Sequence, residues 1–128
     1  MKYFFFLLFI ACIFFACQNA GTSAAADQND AYVQLAPAAF KEKLATVENP
    51  QLIDVRTPRE YEKGTIDGAV MINYKDKNFA AETAKLNKNR PLFIFCQSGG
   101  RSRAACTQLA NEGFTEVYEL KGGYGSWK

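Results

Sequence analysis

Histidine is absent from this sequence. Its absence excludes the cysteine–histidine pairs of cysteine proteases and any metal site that depends on imidazole ligands. The sequence also lacks an excess of either charge, because 15 lysine and arginine residues are balanced by 13 aspartate and glutamate residues. A chain this close to neutral does not present the basic surface that nucleic-acid binding requires, so we expect no nucleic-acid partner.

Cysteine is scarce, and two of the four cysteines lie in the N-terminal segment. Only Cys96 and Cys106 fall within the region that can form a folded domain. Cys106 is predicted to lie in the second turn of a helix packed ~10 Å from the sheet, whereas a disulfide requires Cα atoms within ~7 Å. We therefore interpret Cys106 as a small core residue, with a role as a resolving thiol as the alternative.

A single uninterrupted apolar run extends from residue 3 to residue 16. It is too short for a comfortable membrane span and is typical of a signal-peptide core. The run ends at Cys17, in a context that resembles the lipobox of bacterial lipoproteins, so Cys17 would be the lipidated first residue of the mature chain. The alternatives are ordinary secretory cleavage near Ala20 or Ala26 and lipid attachment at Cys12.

The segment after this run, residues 18–31, has no large apolar side chain and no basic one. Such a stretch cannot bury enough surface to fold, so it is predicted to be a flexible tether. We accordingly predict a signal peptide at residues 1–16, a lipid-attached tether at residues 17–32 and one domain at residues 33–128. The protein would be held at a bacterial membrane by its lipid, facing the periplasm.

Strand-like and helix-like segments alternate along the domain, which indicates a parallel α/β sheet. The last helix is predicted to end at Gly113, which can adopt the left-handed conformation and let Phe114 pack on Leu109. The predicted strands are residues 51–55, 69–72, 91–95 and 116–120, with 91–95 as the central buried strand. The predicted helices are residues 37–47, 58–63, 79–86 and 102–112.

A glycine-bearing loop joins the central strand to the last helix. Cys96 is its first residue, and Arg101 closes it with a forked cation that suits an oxyanion. Loop N–H groups and the positive end of the helix dipole should point at the sulfur and favour the thiolate, which is the nucleophilic form. We predict that Cys96 is the catalytic residue. The loop predicted to bind the substrate and the persulfide consists of Gln97, Ser98, Gly99, Gly100, Arg101 and Ser102.

The length of this loop discriminates between chemistries. Cysteine phosphatases place five residues between the cysteine and the arginine, whereas only four separate Cys96 from Arg101. The smaller bowl should suit one extra sulfur atom on the cysteine better than a tetrahedral phosphate. A phosphatase or an arsenate-reductase-like enzyme is a disfavoured alternative, and the loop also has no acidic residue. An inert buried cysteine before a turn is the other alternative.

Four motifs in order resemble those of the rhodanese family over about residues 33–128. They are Asp-Val-Arg…Glu-Tyr at residues 54–61, Gly-Thr-Ile-Asp-Gly-Ala at residues 64–69, the loop at residues 96–101, and Leu-x-Gly-Gly-x-x-x-Trp at residues 120–127. The resemblance implies a three-layer α/β sandwich, with helices on both faces of a central parallel sheet. It also implies that Asp54 and Arg56 brace the edge of the sheet, as supporting residues, and that Gly122 and Gly123 lie beside the loop.

The activity implied by this resemblance is sulfur transfer. Cys96 would take a sulfane sulfur from a small donor, either thiosulfate or a persulfide, and pass it from a Cys96 persulfide to cyanide or a thiol. This chemistry requires no metal or organic cofactor, and we expect a monomer. The non-enzymatic alternative is a persulfide carrier or a docking module tethered to the envelope.

The sequence departs from the family pattern at two places. Thr65 and Asp67 stand where the family usually has histidine and proline, at positions that are mainly structural. Gln97 and Ser98 occupy loop positions where members that use thiosulfate often carry cationic side chains. This second departure disfavours thiosulfate as the physiological donor.

Overall fold

The computed structural model of the protein describes residues 28–29 and 31–128. The strands are β1 (Gln28–Asn29), β2 (Tyr32–Leu35), β3 (Gln51–Asp54), β4 (Val70–Met71), β5 (Leu92–Phe95) and β6 (Val117–Leu120). The helices are α1 (Pro37–Thr46), α2 (Pro58–Glu62), α3 (Phe79–Thr83) and α4 (Gly100–Asn111), followed by a 3-10 turn at Tyr124–Ser126.

The strands form one sheet in the order β1-β2-β6-β5-β3-β4. The pair of β1 and β2 is antiparallel, and the other pairs are parallel. β5 therefore lies in the middle of the sheet, as the sequence predicted. It consists of apolar residues alone and is fully buried, because both of its faces are covered.

Alternation along β5 divides the core into two layers. Leu92 and Ile94 pack in the cluster that contains buried residues of α3 and α4. Phe93 belongs to the cluster on the opposite face, where its ring meets the ring of Phe40 from α1 edge-on at 5.3 Å. Helices thus cover both faces of the sheet, which confirms the three-layer α/β architecture.

The carboxyl ends of the parallel strands meet at one edge of the sheet. Asp54 ends β3, and Cys96 directly follows β5. The ladder continues one step beyond the strand ends, since the N–H of Val55 donates to the carbonyl of Phe95 at 3.0 Å. This edge, where ligands bind in α/β sheets, carries the glycine-bearing loop and the Asp54–Arg56 segment.

The end of α4 follows the prediction. Gly113 has a φ of 101°, its N–H donates to the carbonyl of Ala110, and the N–H of Phe114 donates to the carbonyl of Leu109. Leu109 and Phe114 are both buried in the same cluster. This stop fixes the length of α4 and so the direction in which its first turn faces the loop.

The N-terminal predictions lie mostly outside the described residues. These include the signal peptide at residues 1–16, the lipid site Cys17 with its alternative Cys12, and most of the tether. The sheet begins before the predicted domain start at residue 33, because Gln28 pairs with Val33 and Asn29 with Tyr32. Within the described part of the chain, no helix has the length and apolar character needed to cross a bilayer.

Candidate active site

The thiol of Cys96 lies at the N-terminus of α4. Cys96 is 1% exposed, and the N–H of Gly99 donates to its sulfur at 3.1 Å. Gly99 is the N-cap of α4 and has a φ of 116°, a conformation that side-chain-bearing residues rarely adopt. The glycine therefore turns the chain so that the positive end of α4 faces the sulfur.

The environment of Cys96 favours its thiolate. Burial alone would raise the pKa of this thiol, but hydrogen bonding with the side chain and N–H of Ser102 and with the N–H groups of Gly99 and Ser98 outweighs it. The pKa of Cys96 is therefore lowered below its ordinary value. The lowered pKa raises the fraction of Cys96 that is present as the thiolate, which is the nucleophilic form.

Ser102 contributes more than its backbone to the loop. Its Oγ accepts from the thiol of Cys96 at 3.3 Å and donates to Glu119 Oε1 at 2.6 Å. Glu119 lies in β6 and is fully buried, and its Oε2 accepts from Gln34 Nε2 of β2 at 2.7 Å. Neither Glu119 nor Gln34 was predicted to belong to the site. The sequence predicted a strand at residues 116–120 but not its burial, so Glu119 gave no local signal.

Arg101 is oriented differently from the prediction. Its Nη1 donates to Glu60 Oε2 at 2.7 Å and its Nη2 to Glu60 Oε1 at 2.8 Å. The fork is thus directed at a carboxylate of α2, whereas the sequence predicted a fork directed at an anion on the sulfur. The hydrogen bond from Arg101 holds the pKa of Glu60 well below its usual range. This pair ties α2 to the first turn of α4.

Glu60 is held in place by the capping box of α2. Its side chain accepts from the N–H of Thr57, and the hydroxyl of Thr57 accepts from the N–H of Glu60. The spacing Thr-x-x-Glu is a recognisable helix start. It does not reveal that the same carboxylate also binds an arginine 41 positions later.

Asp54 and Arg56 form a buried brace under the loop. Arg56 is 2% exposed, and its Nη2 donates to Asp54 Oδ2 at 2.7 Å. Its Nη1 donates to Gln97 Oε1 at 3.1 Å, so the brace reaches the residue after Cys96. Thr65, which replaces the usual histidine, donates its hydroxyl to the same carboxylate at 2.9 Å. These contacts are consistent with the supporting role expected for the pair.

The C-terminal segment closes the other side of the loop. The N–H of Tyr124 donates to the carbonyl of Cys96 at 2.7 Å, and the N–H of Gly125 donates to the carbonyl of Gln97 at 3.1 Å. This approach requires glycine at position 123, because a Cβ there would lie 2.5 Å from the carbonyl oxygen of Cys96. The ring of Tyr124 also lies over the guanidinium of Arg56, at 4.3 Å.

Cys106 is separate from this chemistry. It is a free, fully buried cysteine, and burial raises its pKa well above the ordinary value. Among residues 28–29 and 31–128, no group of three or more histidine, cysteine, aspartate or glutamate side chains is arranged to hold a metal ion. Of the two cysteines in the described residues, Cys96 is therefore the one whose surroundings favour the thiolate.

Comparison with known proteins gives consistent matches. The family model of the rhodanese-like domain matches residues 36–128. The uncharacterized protein YqhL of Bacillus subtilis is 40% identical over 82 residues, which cover 60% of this chain and 60% of that protein. Thiosulfate sulfurtransferase GlpE of Shewanella oneidensis is 32% identical over 85 residues, which cover 66% of this chain and 82% of that protein.

The fold also matches a solved structure. A rhodanese-like domain protein from Staphylococcus aureus superposes with a TM-score of 0.66 at 27% sequence identity, over 74% of this chain and 90% of that one. Sequence motifs, fold and family model therefore agree, and the chain belongs to the rhodanese-like domain family.

Proposed function

We propose that this protein is a sulfurtransferase that carries sulfane sulfur as a persulfide on Cys96. The observation that carries the proposal is the thiol itself, which is held at the N-terminus of α4 with its pKa lowered by the loop. The similarity to a relative named as a thiosulfate sulfurtransferase supports the same class of reaction.

The transfer takes place in two displacements. The Cys96 thiolate attacks the outer sulfur of the donor, so that a new S–S bond forms while the donor's own bond to that sulfur breaks and its electron pair leaves with the remainder. The loop N–H groups that stabilise the thiolate can stabilise the persulfide anion. A thiolate or cyanide then attacks the terminal sulfur, and Cys96 leaves as the thiolate.

The charges around the loop favour a persulfide donor over thiosulfate. Arg56 is paired with Asp54, and Arg101 is paired with Glu60. Gln97 and Ser98, which are exposed at the loop, are neutral. A thiosulfate dianion would find both of these arginines already neutralised, whereas a thiol persulfide carries less charge to be balanced.

Mass spectrometry tests the proposal directly. The purified domain is incubated with glutathione persulfide or with thiosulfate, and the peptide that contains Cys96 is examined for a gain of one sulfur atom. We expect the gain with the persulfide in the wild type and in Cys106→Ser, and none in Cys96→Ser. No gain with either donor would refute sulfur transfer.

The same sample separates the remaining functions. Release of the bound sulfur to cyanide or a thiol over many cycles identifies an enzyme, whereas loading followed by a single slow release identifies a carrier. Hydrolysis of aryl phosphates that depends on Cys96 would identify a phosphatase instead. For the N-terminal residues, outside the described part of the chain, we propose lipid attachment at Cys17 and a location on the cell envelope.

A further inference from the structure

A buried carboxylate lies behind the loop and has no role in the mechanism above. Glu119 is 0% exposed, and a buried charge is costly unless it is well compensated. Two neutral groups bind it, the hydroxyl of Ser102 at 2.6 Å and the amide of Gln34 at 2.7 Å. No lysine or arginine among residues 31–128 forms an ion pair with it.

A single hydroxyl connects this carboxylate to the reactive sulfur. Ser102 Oγ lies 3.3 Å from the sulfur of Cys96 and has only one proton to donate. When Glu119 is ionised, that proton is donated to the carboxylate, and Ser102 can only accept from the thiol. When Glu119 is protonated, its carboxyl can donate to Ser102, and the hydroxyl becomes free to donate to the thiolate. The carbonyl of Gly99, 3.1 Å from Ser102 Oγ, is the competing acceptor, but the charge on a thiolate favours the bond to sulfur.

Cys96 and Glu119, the two ends of this series of hydrogen bonds, differ in how well their surroundings stabilise a negative charge. The sulfur has the N–H of Gly99 at 3.1 Å and the positive end of α4, in addition to the Ser102 hydroxyl. Glu119 Oε1 also lies beside the first turn of α4, but the donors that bind this carboxylate in the described residues are two neutral side chains and no backbone N–H. Accordingly, burial raises the pKa of Glu119 above its ordinary value, while the loop lowers the pKa of Cys96.

Other charged groups act on both Cys96 and Glu119. Arg103 lowers the pKa of Glu119 and so partly offsets its burial, and Arg101 interacts with Cys96 while bound to Glu60. Cys106 faces both groups, but its raised pKa keeps it a neutral thiol. β3 and the loop after it contribute the Asp54–Arg56 pair, whose opposite charges bind each other, and β2 contributes Gln34, which is neutral.

We propose that Glu119 is a positioning residue for Cys96. Whenever Cys96 is a thiolate, Glu119 is protonated, because the proton lost by the thiol is relayed to it through the Ser102 hydroxyl. In this step the thiol proton moves to Ser102 Oγ while the proton of Ser102 moves to Glu119 Oε1. No electron is gained or lost. The inference rests on the proposed function only in taking Cys96 as the reacting thiol.

Carbon-13 NMR of the glutamate side chains provides the first test, with the Glu119 carboxyl carbon followed against pH. A thiolate beside Glu119 disfavours loss of its proton, so the wild-type midpoint should lie higher than that of Cys96→Ser by about one pH unit or more. Cys106→Ser is the matched control, because it makes the same substitution at a neighbouring neutral thiol, and it should leave the midpoint unchanged.

The second test is the rate at which iodoacetamide alkylates Cys96. Glutamine is a neutral mimic of protonated Glu119, so Glu119→Gln should react within about twofold of the wild type at pH 7. Ser102→Ala, which removes the donor to the thiolate, should move the alkylation midpoint to higher pH. Glu116→Gln, an exposed change of the same charge, should have no effect.

Two results would each overturn the proposal. One is an equal midpoint for the titration of the Glu119 carboxyl in the wild type and in Cys96→Ser. Cys96→Ser retains Glu119 and both of its partners, so this result is decisive even if Glu119→Gln does not fold. The other is alkylation about tenfold or more faster in Glu119→Gln, which would place the charge on Glu119 rather than on the sulfur. Neither measurement uses a sulfur donor, so failure of persulfide formation is a separate result.

Discussion

Gly123 gives the most direct test of how the C-terminal segment supports the loop. Its φ of 66° and ψ of −164° lie in a region that essentially only glycine adopts, so alanine at this position would cost about 1–3 kcal/mol through backbone strain alone. Its Cβ would also lie 2.5 Å from the carbonyl oxygen of Cys96 and 2.6 Å from that of Gln97. Both contacts are with backbone atoms, which cannot rotate out of the way.

Relief of this overlap must move the segment away from the loop. Forced overpacking in a tight site costs about 1–3 kcal/mol. The movement would also weaken the hydrogen bonds that Tyr124 and Gly125 donate to the carbonyls of Cys96 and Gln97. We therefore expect Gly123→Ala to lower the free energy of unfolding by about 2–6 kcal/mol.

Gly122→Ala is a matched control at the neighbouring position. Gly122 also has a positive φ, of 78°, but its Cβ would meet the side chain of Ser126 at 3.1 Å. A shift of that side chain by a few tenths of an ångström relieves the contact, so the cost should remain near a backbone term of about 1–2 kcal/mol. A larger loss in Gly123→Ala therefore reports its contact with the loop together with its more restricted backbone.

Urea unfolding measures the stability of both variants, and iodoacetamide alkylation at pH 7 measures the reactivity of Cys96. Gly123→Ala should alkylate Cys96 at least about tenfold more slowly, because the displaced loop no longer aims its N–H groups at the sulfur. Gly122→Ala should stay close to the wild type. Equal stability and equal reactivity in the two variants would refute the supporting role of the segment.

Four further substitutions test other parts of the protein. Cys96→Ser should abolish persulfide formation, read by mass spectrometry, with little change in the circular dichroism melting curve, whereas Cys106→Ser should keep most of the activity; an inactive but folded Cys106→Ser would indicate a two-thiol mechanism. Arg101 holds the pKa of Glu60 below its usual range. The stability that this ion pair contributes is therefore complete above the unfolded-state pKa, about 4.3. It is lost as the pH falls through the lower folded-state pKa. Glu60→Gln should therefore flatten the acid side of the unfolding free energy plotted against pH, and an unchanged acid side would contradict the pairing. An alkyne fatty acid fed to cells should label the wild type but not Cys17→Ala, and label that survives the change would refute lipid attachment at Cys17.

The sequence predicted the centre of the fold better than its edges. The run of apolar residues 91–95 and the glycine at position 113 are strong local signals, and the structure has β5 and the end of α4 there. β2 was missed because residues 32–35 form a short strand that follows a polar segment. The predicted helix at residues 79–86 is α-helical only to Thr83, since Lys85 and Leu86 bond to carbonyls three residues back.

The candidate site divides in a similar way. Cys96 and Ser102 are close in sequence, so a local reading could place the sulfur among its N–H groups. Glu60 and Glu119 could not be placed in this way, because each reaches the loop only through tertiary packing, 41 positions from Arg101 and 17 positions from Ser102 respectively. A glutamate in the strand predicted at residues 116–120 becomes notable only once the structure places that strand inside the sheet, between β2 and β5. Such a residue needs a partner, and the reactive loop is where this one lies.

The partners that the sequence did not reveal change the expected chemistry of the loop. A free guanidinium at Arg101 would favour a doubly charged donor such as thiosulfate, but Glu60 neutralises it, and Asp54 neutralises Arg56 in the same way. The negative charge on Cys96 must therefore be stabilised mainly by backbone N–H groups and by one hydroxyl. Such donors have fixed positions and carry no net charge, so they stabilise a thiolate or a persulfide, each with one negative charge, better than a multiply charged anion.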